Sequence, residues 1–232
     1  MHCCHIRQFF EFKFGHNDRG FGAVAKVVFK VKSSVDLARQ RIRIKSSRAE
    51  KAKNRKNGEL VEKGIQNWRG VLAALRLLNR IPGVASASVE LFTRDVWYYL
   101  TKLGTRSAVD EIVTASVPQD EPCVIVGHSL GSVVAYNILM NMDKRAHVQR
   151  FITLGSPLGI EAIYNRLPSD APPRKAPSGV SEWFNARDSR DVVSLFDIPG
   201  DRFRGAPVVQ NYSEVRNESE NRHGIDEYLR DA

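Results

Sequence analysis

Hydrophobic positions along the chain fall into two spacings. Pro122-Cys123-Val124-Ile125-Val126 is a short unbroken apolar run, and Val148 to Leu154 is a second. Runs of this length fit strands of a parallel sheet covered on both faces. Between them Val133, Val134, Tyr136, Ile138, Leu139 and Met140 form a mostly apolar helix. Further on, Trp183 to Val193 opens as a strand and breaks into a polar loop. Pro207 to Tyr212 reads as a last strand, and Asp226 to Arg230 as a short helix. Pro172, Pro173 and Pro177 mark a loop between the second and third of these strands.

Upstream the spacing is helical. Trp68, Val71, Leu72, Leu75 and Leu78 recur three and four apart within 65–79, a helix that Ile81-Pro82-Gly83 ends. A second helix from Ala87 to Lys102 carries Val89, Leu91, Phe92, Val96, Trp97 and Leu100. The pair reads either as core helices beside the strand at 122–126 or as a cap. Near the start, the alternation Phe10-Glu11-Phe12-Lys13-Phe14 fits an edge strand. No internal repeat is visible.

Between the first run and its helix lies Gly127-His128-Ser129-Leu130-Gly131, a G-x-S-x-G pattern. A strand turning sharply into a helix is the context in which a nucleophilic serine is held exposed at a strand tip. The turn needs small residues two before and two after the serine, and Gly127 and Gly131 meet that need. The helix start also aims backbone N–H groups at the serine, where they can hold an oxyanion; Leu130 N–H is the first such donor.

A serine nucleophile needs a base and an orienting carboxylate downstream. Only His147 and His223 follow Ser129. His147 precedes the run at 148–154 and so belongs to the opposite end of the sheet. His223 follows the last strand and is the candidate base. The acid falls in the polar loop after Trp183: Asp191 first, since Val192 and Val193 can bury it, and Asp188 second.

These residues resemble the α/β-hydrolase superfamily, in particular bacterial serine hydrolases of the lipase and esterase type. The similarity rests on GHSLG at 127–131, FITLGSPLGI at 151–160, WFNARDSRDVV at 183–193 and HGIDEYL at 223–229. It implies an α/β-hydrolase-like three-layer sandwich with a mostly parallel sheet and a helical cap or insertion. It also implies that Ser129 is the nucleophile, Asp191 the acid and His223 the base, with Gly155, Ser156, Pro157 and Leu158 lining the acyl site beside His128. Such proteins carry a His-Gly pair after an early strand for a second oxyanion donor. This chain has the reverse order, and Gly15 and His16 are the candidates for that part.

Composition fits one domain. At 232 residues with 42% hydrophobic content the chain can bury a full core. We expect a single domain over 1–232, with a basic loop or insertion at 33–60, a helical segment at 64–104 and a catalytic core at 120–232. No apolar run is long enough to span a membrane. Met1-His2-Cys3-Cys4-His5 leads into no apolar signal region, so the expected location is cytoplasmic or peripheral to a membrane. The His and Cys of that opening are too crowded for a wrapped zinc site, and three cysteines with two adjacent build no disulfide framework. No metal and no cofactor is expected.

Charge is uneven. Residues 1–104 hold 21 Lys and Arg against 8 Asp and Glu, while 105–232 hold 14 against 18. Arg41, Arg43, Lys45, Arg48, Lys51, Lys53 and Arg55 crowd the stretch 39–56 with only Glu50 opposing. No aromatic interrupts them, so the stacking that single-stranded nucleic acid requires is missing and no nucleic-acid partner is expected. The stretch reads as a solvated loop, or as a contact for an anionic membrane surface. The expected function is cleavage of a small-molecule or lipid carboxylic ester through an acyl-enzyme on Ser129. The alternative, from a different class, is a truncated or inactive hydrolase serving as a binding module through its basic N-terminal half.

Overall fold

The computed structural model describes residues 25–29, 86–118, 121–142, 148–168, 173–218 and 222–230. The elements are β1 (Ala25–Phe29), α1 (Ser86–Thr101), α2 (Leu103–Thr114), β2 (Cys123–His128), α3 (Leu130–Asn141) and β3 (Val148–Leu154). A 3-10 turn (Pro157–Gly159) follows, then α4 (Glu161–Tyr164), β4 (Arg174–Lys175), β5 (Val180–Ala186), β6 (Phe203–Arg204), β7 (Val209–Tyr212) and α5 (Ile225–Tyr228). Five strands form one all-parallel sheet in the order β1-β2-β3-β5-β7, and β4 and β6 form a small second one.

Register explains the core. Ile125, Phe151, Trp183 and Val209 stand side by side across four strands, all buried. α3 packs on that row with Val133 and Val134, and Tyr136 lies against Trp183 with ring centroids 6.0 Å apart. Phe203 meets the Trp183 ring edge-on at 5.2 Å. Removing a side chain of this size from water stabilises the fold by about 2–3 kcal/mol. On the opposite face Val126, Leu154 and Ala186 form a smaller cluster with Val215 and Tyr228 of α5. Helices α1–α3 therefore cover one face of the sheet and α5 lies on the other, the three-layer arrangement of an α/β-hydrolase-like fold.

One register row is polar. Two residues beyond the apolar row stand Thr153, Asn185 and Asn211. Thr153 Oγ1 donates to Asn185 Oδ1 at 2.8 Å, and Asn185 Nδ2 donates to Asn211 Oδ1 at 2.9 Å. Asn211 also receives the Ile198 N–H at 3.0 Å and donates to the Ile198 carbonyl at 2.9 Å. Buried polar groups such as Thr153 and Asn185 must be paired, so this row fixes the strands against one another at the end that carries the site. It also ties down the loop that follows β5.

Boundaries differ from the sequence pattern by a residue or two: the first apolar strand runs Cys123–His128 and the helix expected from Ala87 runs Ser86–Thr101. The last strand begins at Val209, not Pro207, and the short helix runs Ile225–Tyr228 rather than from Asp226 to Arg230. A helix over 103–114 carries no obvious apolar stripe: Val109 and Val113 are its only buried residues. Lys102, in extended backbone, separates it from α1. As for core helix or cap, Val96, Tyr99 and Leu100 of α1 join the main core with α2 and α3, so this part of α1 is a core element. The predicted edge strand at 10–14, the helix at 65–79, the basic stretch 39–56, the Met1–His5 cluster and His147 lie outside the described residues. Among the described residues no helix is long and apolar enough to cross a membrane, and no group of three His, Cys, Asp or Glu could hold a metal ion.

Candidate active site

Ser129 sits between β2 and α3 with φ 56° and ψ −130°, the only non-glycine at positive φ among the described residues. Such a conformation is costly for an L-residue and persists only when its surroundings enforce it. The Ser129 N–H donates to the Leu154 carbonyl at 3.0 Å, and the Ser129 carbonyl receives the Ser132 N–H at 3.0 Å and Ser132 Oγ at 2.6 Å. Gly127 is required beneath it, since a Cβ there would lie 2.7 Å from Ser132 Cα.

The strained turn points the serine hydroxyl at His223. His223 Nε2 and Ser129 Oγ are 2.7 Å apart, and His223 Nδ1 lies 2.8 Å from Asp191 Oδ2. The imidazole is 21% exposed and the carboxylate fully buried. Asp191 is held on both oxygens: Oδ1 accepts the Val193 N–H at 2.9 Å, and Oδ2 accepts the Tyr228 hydroxyl at 2.7 Å as well as the imidazole. A serine, a base and a buried carboxylate in line can activate the hydroxyl as a nucleophile and stabilise the imidazolium that forms.

Asp188, the second candidate for the acid, is elsewhere engaged. Its carboxylate accepts the Arg190 guanidinium at 2.9 and 3.1 Å, the Arg190 N–H at 2.7 Å and the Asn217 N–H at 2.8 Å. Burial opposes its ionisation, but the Arg190 side chain and these backbone N–H groups outweigh it and hold the carboxyl below the usual carboxylate range. Arg190 and Arg222 both donate to the Asn217 carbonyl, and Asn217 Nδ2 donates to the Arg222 carbonyl at 2.9 Å. Asp188 thus fastens the loop that carries Asp191 to the segment leading into His223.

The Gly155–Leu158 turn, expected at the acyl site, is closely packed. All four residues are buried. Gly155, at φ +53°, packs against Asp191 and His223, and Leu158 lies in the main core. Ser156 Oγ shares a 2.7 Å hydrogen bond with Ser132 Oγ and accepts the Leu158 N–H at 3.3 Å. This turn braces the elbow. His128 is half-buried, its ring 4.6 Å from that of His223, so it flanks the base.

Leu130 opens α3, where the first N–H groups have no acceptor within the helix, and it adjoins the nucleophile. Gly15 and His16 lie outside the described residues. They precede β1, whose last residue, Phe29, pairs with Gly127 at the edge that carries Ser129. Cys123, the one cysteine among the described residues, is a buried core thiol whose pKa burial, with Glu121 nearby, pushes up to about 11. Tyr228 and the Thr153–Asn185–Asn211 row escape a sequence reading. Tyrosine in a short helix and polar residues in a strand carry no spacing signal.

Residues 94–164 match the family model described as Lecithin:cholesterol acyltransferase, a stretch that runs from α1 through the elbow to α4. Comparison with curated proteins and with solved structures finds no match. The all-parallel sheet between helical layers, the strained serine at the tip of an inner strand and that match together support an α/β-hydrolase fold similar to the lipase type.

Proposed function

We propose that the chain is a serine hydrolase that cleaves carboxylic esters, with Ser129 as nucleophile, His223 as general base and acid, and Asp191 as the orienting carboxylate. The observation that carries this is the unbroken hydrogen-bond line from Ser129 Oγ through both imidazole nitrogens to a fully buried carboxylate. His223 Nε2 takes the hydroxyl proton as Oγ attacks the ester carbonyl. The Leu130 N–H and the positive end of α3 receive the oxyanion. Collapse of the tetrahedral intermediate expels the alcohol, protonated by His223, and leaves an acyl-enzyme. Water then repeats the sequence and frees the acid.

The matched family is named for acyl transfer between lipids, which favours a lipid ester over a small polar one as the acyl donor. The test is labelling with a fluorophosphonate, followed by turnover of p-nitrophenyl esters of increasing chain length. One labelled serine, lost in Ser129→Ala together with turnover, is the expected result. Labelling that survives Ser129→Ala overturns the assignment.

A further inference from the structure

Asp191 Oδ2 has two donors, and both come from one short stretch of chain. His223 Nδ1 approaches it at 2.8 Å and the Tyr228 hydroxyl at 2.7 Å, five residues further on, at the end of α5. The remaining partners of the Tyr228 oxygen are also set. The Asp188 N–H donates to it at 3.1 Å, and Ser194 Oγ lies 3.3 Å away. With those on its lone pairs, the phenolic proton is directed to the carboxylate. Burial, and next the Asp191 charge, raise the Tyr228 pKa far above its ordinary value, so it stays a neutral donor across the working range of a hydrolase.

We propose that Tyr228 is a positioning residue for the base: its hydroxyl pins the oxygen of Asp191 that orients His223 and shares that oxygen's charge with the imidazole. The proposal rests on the reading of Ser129, His223 and Asp191 as a catalytic unit. A carboxylate held at Oδ1 by one backbone N–H keeps freedom to swing about its last torsion. A second anchor on Oδ2 removes that freedom. Two donors on one oxygen also weaken each other, since each withdraws charge from the acceptor of the other. Tyr228 therefore sets both where the acid stands and how strongly it draws the Nδ1 proton. Because His223 precedes α5 and Tyr228 ends it, the same few residues that deliver the base also deliver the anchor of its acid.

The experiment compares Tyr228→Phe and a protein with 3-fluorotyrosine at 228, using ester turnover and the low-field proton signal of His223 Nδ1, assigned by its loss in His223→Gln. Tyr228→Phe is expected to lower kcat roughly ten- to a hundredfold with KM within about twofold, the scale of a misplaced catalytic group. Its Nδ1 signal moves further downfield, as the oxygen belongs to the imidazole alone. Fluorotyrosine keeps the shape of the side chain but donates more strongly, and moves the signal upfield. An Nδ1 signal unchanged in both proteins overturns the proposal. The signal reports on the acid–base pair without turnover, so a protein that shows these shifts while Ser129→Ala retains activity refutes the hydrolase reading and leaves the Tyr228 contact standing.

Discussion

Gly155 and Asp191 stand so close that a Cβ on the glycine would lie 2.9 Å from the acid's Oδ2, and 3.2 Å from His223 Nδ1. The glycine therefore does two things at once: it occupies a left-handed conformation at φ +53° and leaves room for the acid–base pair. Gly155→Ala should cost about 1–2 kcal/mol of stability from its backbone alone. It should also push acid and base apart, lowering kcat by roughly a hundredfold. Thermal melting and steady-state kinetics separate the two effects. Turnover within twofold of the parent, in a protein that still melts cooperatively, would show that the contact gives way freely.

The two aspartates of one loop should respond differently. Asp191→Asn preserves shape but takes away the acceptor charge that fixes the imidazole tautomer, and kcat should fall on the order of a thousandfold or more, with KM little changed. Asp188→Asn loses instead the charge that gathers Arg190 and the Asn217 N–H. Its main effect is a lower melting temperature. Because the Asp188 pKa is depressed in the folded protein, its stabilising contribution is present above the ordinary carboxylate value and disappears as pH falls through the depressed one. The melting temperatures of parent and Asp188→Asn should therefore converge in acid. A larger kinetic loss in Asp188→Asn than in Asp191→Asn would reverse the assignment.

Local rules carried the elbow and left its support out of view. Gly127, Ser129 and Gly131 are legible because a turn that tight excludes other residue types. His223 is legible because few histidines follow the serine. The choice of Asp191 over Asp188 followed from the two valines after it, and both valines are buried. The bracing of the elbow by the Gly155–Leu158 turn is not legible in the sequence: a run of Gly, Ser, Pro and Leu carries no mark of what it packs against. The polar row Thr153–Asn185–Asn211 depends on the register of three strands far apart in sequence, which no window along the chain contains.

Ser156 offers a direct check on that brace. Its hydroxyl joins Ser132 Oγ and the Leu158 N–H and is closed off from solvent. Ser156→Ala should lower stability by about 1 kcal/mol, the ordinary worth of such a bond. KM should match the parent's at every acyl length in a series of p-nitrophenyl esters. A dependence of KM on acyl length that differs between variant and parent would place Ser156 on the substrate's side.

A last prediction concerns Asp110, in α2 and outside the proposed chemistry. It accepts the Tyr99 hydroxyl at 2.7 Å and Asn137 Nδ2 at 2.8 Å, joining α1, α2 and α3. Burial raises its pKa, although Tyr99, Arg106 and Asn137 all pull the other way. In the unfolded chain an aspartate titrates near about 3.9. Between that value and the raised folded one, the native state binds more protons than the unfolded state, so stability must fall as pH rises through the window. The contribution is fully present below the unfolded pKa and gone above the folded one. Asp110→Asn cannot ionise and lacks this slope. Urea unfolding of both proteins from about pH 4 to 7 should show the variant gaining on the parent as pH increases, with the gain levelling off once Asp110 is ionised. A difference that is flat, or that runs the opposite way, would mean that the three partners outweigh burial and that the charged carboxylate is the form the helices prefer.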